Sequence, residues 1–251
     1  MRASVHGAAR ALGLPATDAR LIAIAGYIEP LAFGHDVNLQ LAAHAAAGVA
    51  DPVAAWILGL AANTVGAFDY GITCLTEAST TFREQGRLGD LARVLFARSF
   101  AQTETGDWIG ALRSADESVR IAEEMGATVW IAASRIVQTK LAAMRGDFDA
   151  CEAHALEVER LALAPAASFI LALLQNARGI AALGAGRSAE AYAHLRRLYA
   201  PADPAFNTSL QFFGLVDFVE AAQSCGQDAA AAAAIAEIER RSAPMAVPRV
   251  G

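Results

Sequence analysis

Lysine is almost missing from this chain. Lys140 stands alone among 20 basic residues, 26 residues are acidic, and the formal net charge is -6. A protein that grips nucleic acid needs a stripe of cations to displace counterions along the phosphates, so the sequence predicts no direct nucleic-acid binding. Cysteine is equally sparse. Cys74, Cys151 and Cys225 are far apart and form no CxxC pair, a pattern that suits buried, reduced thiols in a cytoplasm rather than a disulfide or zinc framework. Arg2, His6 and Arg10 interrupt the N-terminus before an apolar stretch can form, so no signal peptide is expected. The longest apolar runs, Leu21 to Ile28 and Val53 to Ala62, are bounded by Asp18, Glu29, Pro30, Asp51 and Pro52. Both fall short of the roughly 20 residues a membrane span requires, which argues against a membrane partner.

Catalytic signatures are missing as well. Lys140 has no glycine-rich phosphate loop before it, and no GxSxG elbow, HExxH helix or GxGxxG turn occurs. Glu123, Glu124, Glu152 and Glu157 read as exposed helix charges rather than a catalytic pair. The expectation is a protein that is not an enzyme and holds no cofactor.

What the chain does contain is alanine. Hydrophobic residues make up 55% of the sequence and charged ones 18%, a balance that excludes disorder and favours helices in close approach. Glycine recurs at Gly66, Gly106, Gly146, Gly186 and Gly226, 40 residues apart each time, in the turns GAFD, GDWI, GDFD, GRSA and GQDA. A glycine there suits the left-handed residue that ends one helix, with a polar neighbour to begin the next. Five residues after it stand Gly71, Ala111, Cys151, Ala191 and Ala231. Nine after it stand Leu75, Ala115, Ala155, Leu195 and Ile235, and five before it Ala61, Ala101, Leu141, Ala181 and Ala221. Small and apolar columns on both sides of a turn describe a helical hairpin that repeats.

The fold class expected is therefore all-α, a tetratricopeptide-like superhelix of antiparallel helix pairs with a 40-residue unit in place of the usual 34. Helix pairs are predicted at about 51–65/68–84, 88–105/107–125, 128–145/147–163, 166–184/187–199 and 206–224/227–241, separated at Gly86, Gly126, the Pro165 region and Pro201 to Pro204. Residues 1–50 read as degenerate leading helices or a cap, in which Pro30 and Gly34 spoil the second helix. Residues 51–241 form the array, and 242–251 a Pro-containing tail.

Solenoids bind along the surface lined by one helix of each pair. Eight and eleven residues before the turn glycines, the first helices carry Arg98, Arg135, Gln138, Gln175 and Arg178, and Gln102 and Arg145 extend the strip. A ladder of forked guanidiniums in a concave groove suits carboxylates or phosphates of a small effector or a partner protein; a solvated polar face is the alternative. His154 and His194, equivalent in adjacent units, lack further ligands, and no metal is expected. Trp56, Trp108 and Trp130 read as core anchors. The last helix carries Ile235 and Ile238 in packing columns, with Pro244 and Pro248 soon after it, so self-association through this edge is expected.

The runs VGAFDYGITCL, GDWIGALRSADESVRIAEEMGATVWIAAS, RGDFDACEAHALEVERLAL and ARGIAALGAGRSAEAYAHLRRLYAPADPAFN resemble the helical-repeat region of the large ATP-binding regulators of the LuxR family. The likeness runs from about residue 12 to the end. It rests most on the RGD[FW] turn and the HLRRLYAPADPA stretch. In that family an ATPase module precedes such repeats and a DNA-binding helix-turn-helix follows them, and this sequence contains neither. The resemblance implies a sensing and interaction region of a LuxR-type transcriptional regulator, standing as a truncated product or a fragment of a longer chain. A freestanding repeat adaptor that binds a peptide or protein is the alternative.

Overall fold

The computed structural model describes residues 13–15, 17–161 and 168–242. Among them every regular element is helical, and no strand occurs. In chain order these are α1 (Ala19–Ile28), α2 (Pro30–Ala47), α3 (Pro52–Val65), α4 (Phe68–Glu84), α5 (Leu88–Glu104), α6 (Trp108–Glu124), α7 (Thr128–Met144), α8 (Phe148–Leu161), α9 (Ser168–Gly184), α10 (Ser188–Leu195), α11 (Leu210–Phe213), α12 (Leu215–Ser224) and α13 (Asp228–Ser242). The tail prolines Pro244 and Pro248, the Pro165 break and the N-terminal Arg2, His6 and Arg10 lie outside the described residues.

One turn device is used again and again. Gly66, Gly106, Gly146, Gly186 and Gly226 all adopt positive φ, between 72° and 82°, which an L side chain disfavours and glycine accepts. The residue after the glycine then donates its N–H back to the helix, from Ala67 to the Ala62 carbonyl, Asp147 to Ala142, Arg187 to Ala182 and Gln227 to Ala222, at 2.7 to 2.9 Å. Those bonds satisfy carbonyls that the helix end leaves open. The same geometry at Gly86 and Gly126 closes α4 and α6.

The described residues form two compact units, one running to Ala111 and including Arg241 and Ser242, the other Leu112–Arg240. In the first, α1 and α2 share a core with α3 and α4: Ile22, Val37 and Leu41 pack with Leu58, Ala61, Ala62 and Cys74. Trp56 meets Phe82 edge to face at 6.4 Å, an arrangement favoured by the aromatic quadrupoles. In the second, Ala142, Ala143, Cys151 and Ala181 form one cluster, and Ala182, Ala191, Leu195, Phe218, Ala221 and Ala234 another. Tyr192 and Tyr199 stack on Phe218 at 5.7 and 4.2 Å.

Two sequence expectations need correction. Pro30 and Gly34 do not spoil a helix: Pro30 opens α2, an 18-residue helix. At the first helical position the missing N–H has no intrahelical acceptor and the fixed φ is already helical. The first helix of the last pair does not run unbroken from 206. Asn207 Oδ1 accepts from the backbone N–H groups of Ser209 and Leu210 at 3.1 and 2.9 Å, which sets the start at Leu210. The helix is then interrupted at Gly214, where φ -95° and ψ 9° depart from helix. A Cβ at Gly214 would stand 2.9 Å from Asn176 Nδ2, so the bend tolerates no larger residue without movement. No helix among the described residues is long and apolar enough to cross a membrane.

Candidate functional site

The polar columns of the first helices meet polar groups on second helices. In the first unit, Arg98 of α5 donates from Nη1 to Ser79 Oγ of α4 at 3.1 Å. Gln102 is buried and donates from Nε2 to Asp107 Oδ2 at 2.9 Å. The other Asp107 oxygen accepts from the Gly110 N–H at 3.0 Å and so caps α6.

In the second unit the strip is denser. Arg135 of α7 donates to Gln138 Oε1 at 2.9 Å, reaches Glu123 of α6 at 3.5 Å and lies 3.1 Å from Glu157 of α8. The last approach lacks hydrogen-bond alignment at Nε, so it is a charge contact rather than a directed bond. Gln138 Nε2 donates to Asp116 Oδ1 at 2.6 Å. On α9, Arg178 forks onto both oxygens of Glu152, at 2.9 and 3.2 Å, and its remaining nitrogen donates to Glu159. Gln175, 2% exposed, accepts from His194 Nδ1 at 2.8 Å. Arg145 stands exposed at the C-cap of α7 and takes no part in these bonds.

This arrangement corrects the charge expected of the ladder. Two guanidiniums in the second unit face four carboxylates, Glu123, Glu152, Glu157 and Glu159, and Gln138 holds a fifth, Asp116. The arginine forks are taken up by this chain, and an anionic ligand has to displace a glutamate to reach them. Geometry accounts for the choice of arginine, since a bidentate fork holds Glu152 while a third N–H reaches a second helix turn.

Both histidines feel these cations. Burial holds the His154 pKa below its ordinary value, and Arg135 lowers it further. Burial does the same at His194, with Arg178 adding to it. The hydrogen bond from Arg178 holds the Glu159 carboxyl below the usual range. The strip is thus a set of neutral imidazoles and paired ions.

The carboxylate partners are the residues that sequence reasoning missed, having read Glu152 and Glu157 as plain surface charge. A signal was present. Arg98 reaches Ser79 and Arg178 reaches Glu159 across the same 19 residues, each arginine eight before a turn glycine and each partner thirteen after the preceding one. At the C-terminal edge, Ile238 is buried at 7% exposure while Ile235 and Val216 are exposed at 37% and 76%.

Set against family models, curated proteins and solved structures, the chain finds no match in any of the three.

Proposed function

We propose that this chain is a non-catalytic, tetratricopeptide-like repeat region with a 40-residue unit, acting in the cytoplasm as the sensing and interaction section of a LuxR-type transcriptional regulator. The observation that carries the reading is the five left-handed glycines, each closing a helix at the same place in its sequence unit. A stack of such hairpins serves binding through its surfaces, because each pair contributes the same face in turn. The regulator assignment adds the sequence runs that resemble the LuxR family's repeats. On this reading Arg135, Gln138, Gln175 and Arg178 of the second unit, with their carboxylates, are the groups an effector or partner segment contacts; in the first unit Arg98 holds the register of Gln138 and Arg178, and Gln102 follows it one turn on. The ATPase and DNA-binding modules belong to other parts of the regulator. Exposed apolar side chains at Val216 and Ile235 favour a second reading, a freestanding adaptor that binds a protein segment.

Purified chain tested by calorimetry against ATP and by gel shift against DNA at physiological salt is expected to bind neither. Micromolar affinity for either ligand overturns the proposal. Reading frames for a phosphate-loop ATPase upstream and a helix-turn-helix downstream separate the regulator from the adaptor.

A further inference from the structure

In an unbroken helix the carbonyl of residue 211 accepts from the N–H of residue 215. Here the Gln211 carbonyl accepts from the Tyr199 hydroxyl at 2.9 Å, and the helix stops at Phe213 and restarts at Leu215. The Gln211 side chain, 5% exposed, donates from Nε2 to the Leu198 carbonyl at 2.8 Å. Two consecutive residues, Leu198 and Tyr199, therefore hold Gln211 at its carbonyl and at its side chain. The Tyr199 ring is fixed in turn by stacking on Phe218 of α12 at 4.2 Å. Burial, with the Asp217 charge nearby, holds the Tyr199 pKa above its ordinary value, so the hydroxyl stays a donor.

Earlier units supply the comparison. At the register of Tyr199, thirteen residues after the turn glycine, they carry Ser79, Val119 and Glu159. At the register of Gln211, fifteen before the next one, the following helices carry Leu91, Ile131 and Leu171. Each of those helices, α5, α7 and α9, runs unbroken for 17 residues. Val94, Ser134 and Leu174 hold the register of Gly214 and lie inside them, all 0% exposed. Among these units the tyrosine, the glutamine and the break occur together in the last.

We propose that Leu198 and Tyr199 form a catch that keeps residues 210–224 bent at Gly214, in competition with a straight helix in which the Gln211 carbonyl returns to the Leu215 N–H. The bent form gives up ladder bonds across Gly214 and recovers the tyrosine and glutamine bonds in their place. Glycine at the pivot lets the bend pack against Asn176, whose Nδ2 lies 2.9 Å from where a Cβ would stand. The last pair thus has two shapes, which differ in the direction α11 takes from α12. The inference goes beyond the proposed function and involves none of the strip residues.

Two conservative changes open the catch. Tyr199→Phe removes the hydroxyl and keeps the ring on Phe218; Gln211→Leu removes the amide and restores the residue type of Leu91 and Leu171. NMR of the isotope-labelled full chain reads the backbone shifts of residues 211–217 and the exchange of the Leu215 amide. In the double variant helical shifts are expected through Gly214, with Leu215 exchanging about tenfold more slowly once it bonds Gln211. An unchanged Leu215 exchange rate, or non-helical shifts retained at Gly214, overturns the proposal and leaves the packing against Asn176 as the cause of the bend. Loss of helical shifts in α12 overturns it equally, because the two bonds then support the fold rather than choose between two forms. Either failure leaves the ATP and DNA result untouched.

Discussion

Replacing Gly179 with alanine sets two known effects against each other at one atom. Gly179 lies inside α9, where alanine is favoured over glycine by about 1 kcal/mol. A Cβ at that position would stand 2.4 Å from Leu195 Cγ, 2.6 Å from Cδ2 and 3.0 Å from Cδ1. Leu195 is 0% exposed, and the atom struck is its branch point, which cannot swing aside as a chain tip does. Overpacking of this kind costs about 1–3 kcal/mol, so Gly179→Ala should destabilise by about 1 kcal/mol net. Leu195→Ala alone should cost about 2–5 kcal/mol through lost burial and a cavity. Combined, the new methyl enters the space the leucine leaves, the clash disappears and the helix gain remains. The double variant should therefore be more stable than the sum of the singles by about 2 kcal/mol. Thr139 and Ala155 stand at the same two register positions with the sizes exchanged, both 0% exposed, so the pocket accepts either distribution of volume. Urea unfolding followed by helical circular dichroism measures all three. A stabilised Gly179→Ala protein, or strictly additive singles, refutes the packing argument.

The remaining predictions concern charge and thiols. Arg178→Ala should cost about 1–2 kcal/mol in urea unfolding, a figure reduced from that of a fully buried pair because its glutamates are half exposed; Arg20→Ala, at an exposed pair, should leave the melting temperature unchanged. An unchanged melting temperature for Arg178→Ala would show that the strip is not structural. Because His154 and His194 are held below their ordinary value by burial and by the neighbouring arginines, the unfolded chain binds protons first. Their neutral forms cost nothing above the unfolded pKa, near 6.5, and stability falls as pH drops from there through the folded values. His154→Gln with His194→Gln should flatten that slope, and an unaltered slope would clear the histidines. Burial pushes the Cys151 thiol up to about 11, and Cys74 is raised by burial too. Alkylation of native protein at neutral pH, read by mass spectrometry, should modify Cys225 and spare both; rapid labelling of Cys151 would contradict its burial.

The hairpin plan was legible because it is local. A glycine at positive φ, the small residue five places on and the apolar one nine places on all act within a single pair, so their spacing survives in the sequence. Pro30 was misread because a proline signals a break only inside a helix, and its position relative to the helix start is decided by Glu29 and the packing of Leu31 and Val37. Gly214 was missed for the converse reason, since the bend depends on Asn176 and Leu198, distant in sequence. Arg98, Arg135, Gln138, Gln175 and Arg178 were found as polar columns, but their meaning was not. Whether a guanidinium waits for a ligand or already holds Glu152 and Glu159 depends on how one pair lies on the next.

If the chain is an array of interchangeable helix pairs, one whole unit can be taken out. Deleting residues 107–146 joins Gly106 to Asp147, keeps a Gly-Asp turn and brings Ser99 and Ala155, a small pair, into the register of a hairpin. Urea unfolding of this shortened protein is predicted to stay cooperative, with undiminished helicity per residue and a smaller dependence on denaturant in proportion to the surface removed. Loss of helicity or of a cooperative transition would contradict the repeat architecture on which the proposed function stands.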